Sequence, residues 1–105
     1  MKLNERIQCA DGFTMSVQGN EGAYCAPRVN DAEEYTEVEV GFPNMVEELL
    51  LPYAEEPDKP RGTVYGYVPA QVIVNVIAKH RGIVSGELPA GIIHLTHKDH
   101  KGTIS

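Results

Sequence analysis

The sequence predicts an α+β fold: a small, mostly antiparallel sheet of about four or five strands, with one main helix packed on one face. Three observations carry this. Alternating apolar and polar residues over 13–18 follow the turn dipeptide Asp11-Gly12. A cleaner alternation occupies 35–42, and the apolar residues of 70–81 recur at helical spacing.

In chain order, 5–10 and 13–18 form a hairpin about Asp11-Gly12. Residues 19–23 (GNEGA) form a loop, and Tyr24-Cys25-Ala26 starts a short strand that Pro27 stops or forces to an edge. In YTEVEVGF (35–42), Thr36, Val38, Val40 and Phe42 share one face, while Tyr35, Glu37 and Glu39 share the other. Asn44 and Glu47 fit a capping box ahead of a helical turn or two at 45–51, which Pro52 ends. The proline-rich, charged stretch 54–62 is an exposed loop. TVYGYV (63–68) reads as a strand with Tyr65 and Tyr67 on one face.

Pro69 then stands at a first helical position, where its missing N–H costs nothing. Val72, Ile73, Val76 and Ile77 form a helical stripe, Lys79, His80 and Arg81 suit the carbonyl end of the helix, and Gly82 is the expected left-handed stop. The β-branched content weakens this helix, so it must lean on the sheet. Ile83-Val84 reads as a short strand, 92–96 as an edge strand, and 97–105 as a frayed polar tail. The expected core is Ile7, Phe13, Met15, Val17, Val38, Val40, Phe42, Leu50, Val64, Val68, Val72, Ile73, Val76 and Ile77.

The 105 residues make a single domain, 1–105, able to bury a modest core without staples. Its charge is unevenly spread. Residues 29–58 hold ten carboxylates and no Lys or Arg, 59–105 carry a formal +4, and 1–28 balance. A net charge of −6 argues against direct nucleic-acid binding and against anionic membranes. No apolar run reaches membrane-spanning length, and the N-terminal residues lack a signal-peptide core, so the expected location is cytoplasmic. Cys9 and Cys25 are then free thiols.

Each chemical constellation has a bland counterpart. His94, His97 and His100 stand three apart with Asp99 beside them, a spacing compatible with a metal site. The expected state is instead a solvated tail, because Gly91, Thr96 and Gly102 oppose the helix that would align the imidazoles. Cys25 with His80 as base is the catalytic alternative, yet nothing near either cysteine activates a thiol, and small buried hydrophobes are the simpler reading. Adjacent carboxylates such as Glu47-Glu48 and Glu55-Glu56 point apart and do not make a glycosidase pair. Glycine-rich phosphate loops, HExxH and GxSxG are absent, so no enzyme activity and no cofactor are expected.

The acidic block remains. Surfaces ordinarily mix signs, and a one-signed face steers a basic partner. The expected partner-binding residues are Glu33, Glu34, Glu37, Glu39, Glu47, Glu48, Glu55 and Glu56, facing a protein with a basic surface. Tyr53, Tyr65 and Tyr67 are the fallback surface.

The runs MKLNERIQCADGFTMSVQ, YCAPR, YTEVEVGFP, ELLLPYAE and TVYGYVPAQVI with AKHRGI resemble small accessory proteins of bacteriophages and prophages, over residues 1–84. The resemblance implies a non-enzymatic protein acting in the host cytoplasm. It would bind a host complex, in the manner of inhibitors of bacterial defence such as anti-CRISPR proteins. It supplies no catalytic residues.

Overall fold

In the computed structural model, which describes residues 2–97, Asp11-Gly12 turns strand β1 (Ile7–Cys9) back onto β2 (Thr14–Gln18). The turn is closed by the Gly12 N–H to Cys9 O (3.0 Å) and by the Phe13 N–H to Asp11 Oδ1 (3.0 Å). Ile7 pairs with Met15, so both fall on the buried face. β3 (Glu37–Gly41) pairs with β2 through Val17 and Val40, and β4 (Val64–Pro69) pairs with β3. Helix α1 (Ala70–Lys79) follows, and β5 (Ile83–Ser85) lies beside β1. The sheet order is β4-β3-β2-β1-β5, antiparallel throughout, with one helix on its inner face. This is the α+β architecture that the alternation and the helical stripe predict.

Helix α1 buries Ile73, Val76 and Ile77 against Ile7, Phe13, Met15, Val17, Val38 and Val40. It lacks a side-chain cap at its start, so its stability comes from this packing. Ile73→Ala or Ile77→Ala is expected to cost about 2–4 kcal/mol, read as a fall in the denaturation midpoint.

The helix ends in a full Schellman motif. The Gly82 N–H donates to Ile77 O (2.9 Å), and the Arg81 N–H donates to Ala78 O (3.1 Å). The left-handed stop falls on Arg81 (φ 74), one residue before the expected glycine. Gly82 is required for a second reason: a Cβ there would lie 2.7 Å from the His97 backbone nitrogen, where the returning chain crosses.

Other expectations give way to tertiary structure. Asn44 does not cap a helix. Its side chain accepts from the Thr14 N–H (2.8 Å) and donates to Gly12 O (2.9 Å), stapling this segment to the β1–β2 turn. Residues 44–47 are irregular and 48–50 form a turn, followed by a single 3-10 turn at Leu51–Tyr53. Phe42, expected in the core, is 52% exposed, because its φ of 48 swings it off the end of β3. Tyr35, expected on the outer face, is buried, with its hydroxyl donating to Val29 O (2.7 Å). The edge strand expected at 92–96 reduces to one parallel bridge, Ile83 with Thr96. The tail from residue 98 lies outside the described residues.

Both sheet edges are covered. Along β5, the Ile83 N–H donates to Leu95 O (2.8 Å) and the His97 N–H donates to Ile83 O (2.9 Å). Along β4, Ala54 bridges Tyr65 and the Tyr67 N–H donates to Tyr24 O (2.9 Å). Among the described residues, no helix is long and apolar enough to cross a membrane.

Candidate interaction surface

The outer face of the sheet is shaped by a break in β4. Val38 pairs with Val68 and Val40 pairs with Tyr65, so Glu39 faces two residues, Gly66 and Tyr67. This β-bulge turns Tyr65 into the core, where it is fully buried and its hydroxyl donates to Pro60 O. It turns Tyr67 outward. The expectation that both tyrosines share a face is thus corrected: a period-two reading does not survive an inserted residue.

Tyr67 holds φ 53, a left-handed conformation that is costly for an aromatic side chain. Its ring is 45% exposed and stacks on Tyr24, with centroids 6.0 Å apart and planes at 25°. Tyr24, 38% exposed, lies over Gly66, where a Cβ would come 3.2 Å from the Tyr24 Cβ. The guanidinium of Arg28 sits 5.3 Å from the Tyr24 ring centroid.

Carboxylates from separate segments converge here. Glu37 and Glu39 project from one face of β3, and Glu39 Oε2 accepts from the Tyr24 N–H (3.2 Å). Glu55 reaches in from the loop before β4, with Oε2 3.6 Å from the point a Gly66 Cβ would occupy. The structure therefore gathers three expected partner-binding residues about a tyrosine pair. The others are placed elsewhere. Glu34 lies against Gly91, Glu33 and Glu48 are exposed, and Glu56 pairs with Lys59 (3.6 Å).

Glu47 is withdrawn altogether. It is 1% exposed, with Oε2 accepting from Lys79 Nζ (2.9 Å) and from the Leu49 N–H (2.9 Å), and with Oε1 2.6 Å from His80 Nε2. Its carboxylate cannot meet a partner. Burial alone would push its pKa up, but the Leu49 N–H, Lys79 and His80 outweigh burial and hold it below the usual carboxylate range. His80 Nδ1 lies 2.6 Å from Asp11 Oδ2, and the ring stacks on Phe13 at 4.1 Å. Each ring nitrogen of His80 thus faces a carboxylate oxygen. Asp11 is also held below the usual range: its own desolvation opposes this and is outweighed by the Phe13 N–H, His80 and Arg81.

The catalytic alternative does not assemble. Both His80 nitrogens are engaged by carboxylates, while the Cys25 thiol donates to the Asn20 carbonyl (3.2 Å). Burial pushes the Cys9 thiol up to about 11, with Asp11 adding to the effect, the opposite of nucleophile activation. The clefts along Glu5, Arg6, Gln8 and Ser85, and along Lys2, Gly19, Asn20 and Asp31, are lined by neither cysteine nor His80.

Among the described residues, no three His, Cys, Asp or Glu side chains are grouped to hold a metal. His94 Nδ1 is 3.2 Å from Thr96 Oγ1 and His97 Nδ1 accompanies Arg81 O at 2.9 Å, while His100 and Asp99 lie outside the described residues.

Neither Tyr24 nor Arg28 stands out as a site residue in the sequence. The available signal was Gly66 between two tyrosines, since a glycine inside a strand marks a bulge or a close approach. No family model, curated protein or solved structure matches this chain.

Proposed function

We propose that the protein is a non-enzymatic binding module whose outer sheet face docks a basic surface of another protein. The observation that carries this reading is Tyr67. A bulky aromatic held left-handed and half-exposed costs stability, and such strain is retained where it serves a site. Here it displays a ring stacked on Tyr24 with Glu37, Glu39 and Glu55 around it. Tyrosine is enriched among interface hot spots, and charges around such an anchor steer the partner. Strand addition is the weaker docking mode, because both edges of the sheet are covered.

The class of partner follows from charge and from the phage-type resemblance: a host protein with a basic surface, such as one that handles nucleic acid within a defence complex. The acidic face would then take the place of phosphates, steering the encounter and screened over the Debye length of about 8 Å at physiological salt.

Two substitutions test the reading on a partner recovered by affinity capture. Tyr67→Gly suits the left-handed backbone, so the fold should hold or gain up to about 1–2 kcal/mol, while partner affinity falls at least about tenfold. Glu37→Lys with Glu55→Lys, which spares the Glu39 contact to Tyr24, should slow association at low salt by about tenfold or more. A partner whose binding is indifferent to salt, to the charge reversals and to Tyr67→Gly would sink the proposal.

A further inference from the structure

Resting on that reading of the outer face, we infer that the Tyr24–Tyr67 stack with Glu39 and Glu55 is a guanidinium-reading subsite, selective for arginine over lysine in the partner. Arg28 of the same chain already lies over one of its rings, that of Tyr24.

Three observations converge. First, the ring already takes a guanidinium: Arg28 Cζ stands 5.3 Å from the Tyr24 centroid, while its Nε–H is spent on the Glu21 carbonyl (3.2 Å). Among the described residues, Arg28 forms no ion pair with a carboxylate, so the aromatic surface is what it has found on this face. Second, Glu39 Oε2 touches the Tyr24 backbone and Glu55 Oε2 approaches Gly66 beneath the same ring. Neither residue has a Lys or Arg partner among the described residues. Third, the two rings are near-parallel and exposed, offering a flat surface beside planar acceptors.

A guanidinium satisfies both features at once, because it stacks on a ring while its N–H fork meets a carboxylate. An ammonium is a compact, strongly hydrated charge that has no plane to stack. An arriving arginine would displace Arg28 or lie beside it, and in either case Arg28 opposes binding by occupancy or by like charge.

The test uses two capped peptides of equal length, one alternating glycine with arginine and the other glycine with lysine, titrated into the isotope-labelled protein at low salt and followed by backbone amide shifts. The arginine peptide is expected to move Tyr24, Glu39, Gly66 and Tyr67 and to bind at least about fivefold tighter than the lysine peptide. Tyr67→Gly should erase the preference by reducing arginine binding to the lysine level, and Tyr24→Leu is the second variant for the same purpose. Arg28→Ala should tighten the arginine peptide. If the two peptides bind equally at these residues, the arginine subsite is overturned and the acidic docking face stands. A preference that survives both ring substitutions also overturns the subsite. If neither peptide moves these amides, both readings fall.

Discussion

Replacing Glu47 with alanine is expected to remove about 3–5 kcal/mol of stability, a large part of what a domain of this size possesses. The reason is position. Glu47 is a fully buried carboxylate whose two oxygens tie Lys79 and His80, at the end of α1, to the segment following Asn44. Through His80 the same network reaches Asp11 in the β1–β2 turn. Truncation leaves His80 buried with one nitrogen unmatched and opens a void beside its ring. Lys79→Ala should cost less than about 1 kcal/mol, since Lys79 is half-exposed and water replaces its partner. Glu47→Gln should fall between the two, keeping the shape and one acceptor. Urea denaturation separates the three, and a Glu47→Ala midpoint equal to that of Lys79→Ala would reduce the network to a surface ion pair.

The network also fixes a pH dependence. Asp11 and Glu47 are both held below the ordinary carboxylate range in the folded protein. Their contribution is therefore fully present above the unfolded pKa of about 4 and is lost as pH falls through the lower folded values. Stability should decline on acidification below about pH 4.5, and the decline should be shallower in Glu47→Ala.

Gly86→Ala is the second large effect, expected at about 3–5 kcal/mol. Two costs add. The residue sits at φ 113, where an L side chain costs about 1–2 kcal/mol. A Cβ there would also run into the Arg6 carbonyl oxygen and stand 2.6 Å from Ile7 Cα. These are backbone atoms at the start of β1, so no rotamer change relieves the collision. Residues 85–87 must then move off β1, breaking the Glu87 N–H bond to Glu5 O (3.1 Å) and the Glu5 N–H bond to Glu87 Oε1 (2.8 Å). Gly12→Ala is the control. Its φ is 97 but nothing lies within 4 Å of the added methyl, so only the conformational cost applies. Equal midpoints for the two variants would show that the 85–87 contact yields without loss.

What was legible in the sequence follows from range. The alternation at 13–18 and 35–42 and the stripe at 72, 73, 76 and 77 are local signals, and each forms the expected element. Glu47 reads as one more carboxylate of the acidic block because its partners are 32 and 33 positions away, and a single sequence gives no sign of that pairing. Tyr65 and Tyr67 read as sharing one face because a bulge changes the parity of a strand without changing its composition. Phe42 looked like a core residue by alternation, yet β3 ends at Gly41 and the next backbone unit is left-handed. The proposed site is half visible in the sequence. The excess of carboxylates is plain, whereas the aromatic pair beside them depends on a contact between residues 24 and 67.

The strand order has a consequence for assembly. The meander β1 to β4 forms from neighbours in sequence, but β1 stays an open edge until α1 has crossed the sheet and β5 has returned to pair Gln8 with Ser85. Closing that long loop brings a late entropic cost, set by the whole span between the two strands. The tyrosine platform is different: Tyr24, Glu39, Glu55 and Tyr67 all belong to the meander and its loops. The proposed docking face is thus drawn from the part of the chain that can organise early, and the Asp11–His80 link and β5 act as the latch that fastens the finished sheet.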